Sequence, residues 1–137
     1  MTLEKMKEFI QRQRHTVLSS INIEGYPFSR VMTILKNTDC KEFYFLTRVV
    51  SLKYEHLKRQ PKASLHFYDA ATLESVNLTG TLEVFDDDEM KKMVWNKVTT
   101  LFIYRLDDTM KDYCLIKFTA KRARFFTKLT SYNFIIS

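Results

Sequence analysis

Two runs rich in β-branched and aromatic residues constrain this chain more than any other feature. "TVLSSINI" (16–23) and "PFSRVMTILK" (27–36) both read as strands, and only the turn letters "EGYP" around Gly25 join them. A connection that short permits antiparallel pairing and forbids the crossover a parallel neighbour needs. The same texture returns in "EFYFLT" (42–47), "ASLHFYD" (63–69), "ESVNLTGTLEVF" (74–85) and "DYCLIKFTAKRARFFTK" (112–128). Hairpins early and late argue against a doubly wound parallel sheet. The expectation is a mainly β chain, a six-stranded antiparallel Greek-key split barrel with short helices in the gaps. At 137 residues, with no linker or repeat, residues 1–137 read as a single domain.

Three segments read as helices. "TLEKMKEFIQRQR" (2–14) sets Leu3, Met6, Phe9 and Ile10 at helical spacing. "LKYEHLKRQ" (52–60) follows Ser51 as N-cap and is stopped by Pro61. "DDDEMKKMVWNKV" (86–98) opens on acid, as the helix dipole favours, so Asp86 to Glu89 need no metal to explain them. "TTLFIYRLDD" (99–108) is ambiguous, and "LTSYNFIIS" (129–137) receives no assignment.

Glycine is nearly absent. Gly25 and Gly80 are the only two, which excludes a GxGxxG dinucleotide loop and a P-loop. Gly80 sits inside a strand pattern and predicts a bulge or a close backbone approach. Cys40 and Cys114 stand alone and predict reduced, structural thiols. His15, His56 and His66 lack metal-ligand spacing, so no metal site is expected. His66 alternates with Leu65 and Phe67, which predicts a partly buried strand histidine. Asn77-Leu78-Thr79 is a glycosylation sequon by letters only, since it falls within a strand. The charged N-terminus lacks a signal-peptide core, and no apolar run is long enough to span a bilayer. The expected location is the cytoplasm.

The helix at 52–60 starts against the usual rule. Its first turn carries Lys53, with Arg48 just before, and no carboxylate appears until Glu55. On the strand "PFSRVMTILK", Arg30 shares a face with Phe28, Met32 and Ile34, where an unpaired cation is costly. It needs either a carboxylate or a bound anion. Arg30, Ser51 and Lys53 are able to converge on one phosphate, with helix amides as further donors.

The ordered set "RVMT" (30–33), "FLT" (45–47), Ser51-x-Lys53, "QPKASLHF" (60–67) and "VNLTGTLEVFD" (76–86), with Trp95 beyond, resembles the pyridoxamine 5'-phosphate oxidase-like flavoproteins, the FMN-binding split barrels. The resemblance spans about residues 15 to 126 and is nearest the short general-stress and nitroimidazole-resistance-like members. It implies an FMN-dependent oxidoreductase, a homodimer with the flavin at its interface, a small-molecule substrate and NAD(P)H as donor. Membrane and nucleic acid are not implied partners. It also implies roles: Arg30, Val31, Met32 and Thr33 along the flavin, and Leu46 and Thr47 beside the ribityl chain or ring. Arg30, Ser51, Leu52 and Lys53 would form the phosphate cradle. No catalytic acid or base is named. The chain departs from the family pattern at Gln60, at Arg124-Phe125-Phe126, and at Ser75, where the biosynthetic oxidase carries Gln, so pyridoxamine phosphate is not the implied substrate. Two other readings stand beside it. One is a non-catalytic flavin or haem binder or sensor. The other is an OB-like barrel that binds single-stranded nucleic acid through "KFTAKRARFFTK" (117–128).

Overall fold

The computed structural model describes residues 2–48, 54–85, 87–89, 92 and 113–136. They form α1 (Thr2–Gln11), β1 (His15–Ile21), β2 (Pro27–Thr33), β3 (Lys36–Thr38), β4 (Glu42–Arg48), α2 (Tyr54–Arg59), β5 (Lys62–Tyr68), β6 (Ser75–Phe85), β7 (Tyr113–Thr127) and β8 (Thr130–Ile135). The strands make one antiparallel sheet in the order β2-β1-β5-β6-β7-β4-β3, with β8 on β7.

The mainly β expectation holds, with eight strands among the described residues where six were expected. Two local events account for the difference. The run 27–36 is not one strand, because neighbouring residues choose different partners. Ile34 donates its N–H to the Arg14 carbonyl on the β1 side, and Leu35 donates to Tyr44 of β4. The chain therefore passes from one end of the sheet to the other within a single peptide step, and the sheet curls until its ends share one bent segment. The second event is at the C-terminus. Residues 130–135 fold back on β7 as β8, and Phe134 and Ile136 pack against the core.

Strand alternation builds that core. Leu18, Leu65, Leu78 and Ala123 face inward from β1, β5, β6 and β7 and are buried. Phe43, Phe67, Phe118 and Phe125 fill the centre. From α1, Met6, Phe9 and Ile10 pack into the same cluster, on the stripe their spacing predicts. Each such side chain contributes about 1.5–3 kcal/mol on burial.

Turns form with almost no glycine. The β1–β2 turn uses one of the two: Gly25 has φ 90, and Asn22 closes the loop by accepting the Tyr26 N–H on its side chain. The β3–β4 turn places Asp39 and Cys40 at positive φ instead. Gly80 gives both features expected of it. A Cβ there would fall on the Thr119 carbonyl oxygen, and the β6–β7 register shifts between Thr79 and Gly80. Cys40 and Cys114 are both buried free thiols. Among the described residues, no helix is long and apolar enough to cross a membrane.

Candidate functional site

The partner change at Ile34–Leu35 leaves a fork. On one arm β2 stays with β1, and on the other β4 stays with β7. Arg30 to Thr33 lie on the first arm and Leu46 and Thr47 on the second, so both expected strand segments border one opening.

Within β2 the four residues do not act on one face. Met32 opposes Thr16, Arg30 opposes Leu18 and Phe28 opposes Ser20. Directly opposed residues share a face, so Phe28, Arg30 and Met32 lie on the side of buried Leu18. Val31 and Thr33 take the other side, and Val31 is 69% exposed. Arg30 is half-buried. Its Nη1 donates to Ser20 Oγ at 2.8 Å and to the Phe28 carbonyl at 3.0 Å, and the guanidinium lies over the Phe28 ring. Burial pushes its pKa below the ordinary arginine value. The sequence left a carboxylate or an anion as its partner. Among the described residues no carboxylate pairs with it.

The second expected contributor is α2. A ring nitrogen of His56 lies 2.6 Å from the Ile21 carbonyl, which ties the helix to the end of β1. Ile21 follows Ser20, the residue that accepts from Arg30. The fold thus brings α2 to the same end of β1 as the guanidinium. Ser51, Leu52 and Lys53 lie outside the described residues, immediately before the described start of α2, and Trp95 lies outside them too. On the other arm, Leu46 and Thr47 are half-buried and pair with Leu115 and Cys114.

Two contributors escaped the sequence reading, and so did one orphaned polar group elsewhere on the sheet. Ser20 reads as an ordinary strand serine, and its role appears only when the register sets it beside Arg30. His56 stands out in the sequence only as a histidine without metal-ligand spacing. Asn77 reads only as a sequon, yet it lies in β6 between His66 and Arg124, and its Oδ1 is buried without a donor. It lies two residues from Ser75 on one face of the strand. The acidic start at 86–89 is described at Asp87, whose carboxylate accepts the Glu89 N–H at 2.8 Å as a helix cap does. The rest of the helix expected at 86–98 lies outside the described residues, apart from Asp88 and Lys92.

Comparison with known proteins adds an independent line. The family model described as pyridoxamine 5'-phosphate oxidase matches residues 2–127. A pyridoxine/pyridoxamine 5'-phosphate oxidase of Aliivibrio salmonicida is 36% identical over 66 residues, covering 48% of this chain and 31% of that protein. The chain thus matches about a third of the length of that curated relative. A solved structure from Clostridium acetobutylicum, described as related to general stress protein 26 of B. subtilis in the pyridoxinephosphate oxidase family, superposes with TM-score 0.85. It is 27% identical, with 98% of this chain and 94% of that chain covered. A pyridoxamine 5'-phosphate oxidase-related, FMN binding protein of Nostoc punctiforme superposes with TM-score 0.61 at 13% identity, covering 99% of this chain and 94% of that one, and shares the fold.

Proposed function

The chain belongs to the pyridoxamine 5'-phosphate oxidase family, and from that premise we propose that it is an FMN-binding flavoprotein acting as an oxidoreductase on a small molecule, with NAD(P)H as donor. One observation carries the cofactor. Arg30 is a half-buried cation bonded to a hydroxyl, a carbonyl and a ring face, with no carboxylate among the described residues. A phosphate monoester supplies the missing charge, and α2 is anchored one residue from the hydroxyl that Arg30 holds. The residues present fit the group.

FMN, when bound, supplies the hydride and electron-pair chemistry. The chain's own residues bind and orient. Arg30, Ser51 and Lys53, with the Leu52 amide, hold the phosphate. The backbone of Arg30 to Thr33 lines one side of the fork, and Leu46 and Thr47 line the other. Pairing of two copies closes the site and excludes water.

An absorbance spectrum of the purified chain after incubation with FMN and removal of free flavin tests the reading. Retained flavin bands in about one-to-one ratio support it. A colourless protein, or one showing a haem Soret band in their place, overturns it. Steady-state oxidation of NAD(P)H by the loaded protein then separates an enzyme from a flavin carrier.

A further inference from the structure

The fork leaves unexplained a second hollow, an open cavity of about 680 Å³ on the outer side of β1, β5, β6 and β7. The registers arrange its floor. Ser19 opposes Ser64, Ser64 opposes Thr79 and Thr79 opposes Arg122, and Ser29, beside the lining, opposes Ser19. One row of hydroxyls therefore crosses four strands and ends on a guanidinium. Its face is the one opposite buried Leu18, Leu65 and Leu78. Ser19 and Ser29 share a hydrogen bond of 2.7 Å.

The β6–β7 irregularity falls at the end of this row. Thr79 pairs with Arg122 and Gly80 with Ala120, so Lys121 is the extra residue. In a regular strand one of two consecutive side chains turns inward. Here both Lys121 and Arg122 are exposed and both line the cavity. Bulges re-aim side chains in this way. Gly80 makes it possible, because any Cβ there meets the Thr119 carbonyl. Lys62, two residues before Ser64 on β5, adds a third cation to the lining. No carboxylate and no aromatic side chain is among the described lining residues.

We propose that this cavity binds a small organic anion bearing a phosphate or carboxylate group. The charged head sits on Lys121, Arg122 and Lys62, and the body lies over the Ser19–Ser64–Thr79 floor. The volume is within the range of small-ligand pockets, roughly 300–1,000 Å³. Nucleic acid is the weaker occupant, because stacking needs an aromatic platform that the lining lacks. The β7 end of the cavity is separate from the fork. Three strand spacings, roughly 14 Å, lie between β1, where Arg30 is bonded, and the cations on β7. At the other end Ser20 lines the cavity and also accepts from Arg30, and Lys62 lies on β5, beside β1.

Phenyl phosphate is the probe, titrated into the isotope-labelled full chain in parallel with and without saturating FMN, and followed by amide NMR shifts. Saturable shifts are expected at Ser64, Thr79, Gly80 and Arg122 in both conditions, and none of that size with benzyl alcohol, the neutral analogue. Lys121→Ala with Arg122→Ala should weaken binding at least tenfold, as the loss of charge-assisted bonds implies. Both side chains are exposed, so the fold tolerates the change, and Lys62→Ala gives a second, independent reading in the same direction. Lys117→Ala, a β7 cation already held by Glu42 and Glu83, should leave the affinity unchanged. The inference is overturned if the alcohol binds equally well, or if the double variant binds as the parent does. It is also overturned if these amides move only with protein concentration, which would mark a contact between copies. A chain that takes no FMN leaves the test intact.

Discussion

A guanidinium over a phenyl ring, with one hydroxyl and one carbonyl as partners, is an incomplete solution to half-burial. Riboflavin lacks the phosphate, so it cannot register the loss of a phosphate partner. Arg30→Ala and Lys53→Ala should each weaken FMN binding roughly ten- to hundred-fold, from a charge-assisted bond of about 1.5–3 kcal/mol. Riboflavin binding should change little, and calorimetric titration of both flavins reads the difference. Equal losses for the two would remove these residues from the phosphate cradle. Gly80 is the other position where one side chain decides the outcome. Gly80→Ala sets a methyl against backbone, not against a flexible side chain. The strands must separate, at a cost of roughly 1–3 kcal/mol or more. Chemical denaturation should show a lower midpoint. An unchanged midpoint would mean that the Thr79–Gly80 irregularity relaxes freely.

Element by element, the sequence reading succeeded where alternation is regular and failed where a turn lacks its usual residues. β1, β4, β5 and β6 alternate buried and less buried positions, and each is visible in the letters. The break between β2 and β3 is not, because "MTILK" (32–36) keeps its apolar, β-branched texture while the backbone changes partner. β8 was illegible for a sharper reason. Its hairpin turns through Lys128 and Leu129, at φ 49 and 62, where glycine or asparagine normally announces such a turn. A leucine at positive φ is strained. Lys128→Asn with Leu129→Gly should therefore stabilise the chain by about 1 kcal/mol, the relief exceeding the added freedom of the unfolded glycine. A lower melting temperature would show that the left-handed turn costs nothing. The candidate site was legible as residue types but not as geometry. Arg30 could be singled out, while Ser20 and His56 needed the register and the docking of α2.

The long β7 also carries an electrostatic element. Lys117 lies between Glu42 and Glu83, at 3.6 and 3.5 Å. Burial works against its charge, but the carboxylates of Glu83 and then Glu42 outweigh it, so its pKa is raised. The folded chain thus holds this proton more tightly than the unfolded one. The resulting stabilisation is complete below the ordinary lysine value, about 10.4, and is lost as pH rises through the raised value. Lys117→Met should cost about 1 kcal/mol at neutral pH, with the gap to the parent narrowing at strongly alkaline pH. Denaturation curves at both pH values test this, and a gap that widens with pH would reverse the sign assigned to Lys117.

For the whole molecule, the first hairpin is the feature that a single copy leaves unfinished. Ile23, Tyr26, Phe28 and Val31 are 62%, 65%, 55% and 69% exposed, all within a nine-residue stretch that borders the fork. Phe28 lies on the Leu18 side of β2 and Val31 on the other, so both faces of the hairpin present apolar surface of the kind that marks a contact. The net charge of +6 does not favour self-association, so the apolar hairpin must supply the attraction. A stable pair needs roughly 1,200–2,000 Å² of buried surface, to which this hairpin contributes from both copies by symmetry. The expected outcome is a dimer in sedimentation at micromolar concentration. Val31→Glu is the variant to set against it, because Val31 points away from the core and its change spares the fold. A carboxylate placed in an apolar contact should raise the dimer dissociation constant roughly ten- to hundred-fold, for about 1.5–3 kcal/mol of desolvation. If the flavin sits between copies, its affinity should fall in step with dimer content across a dilution series. A parent chain that sediments as a monomer with FMN present would count against the paired site. Flavin affinity indifferent to Val31→Glu in a dissociated variant would place the whole site within one copy.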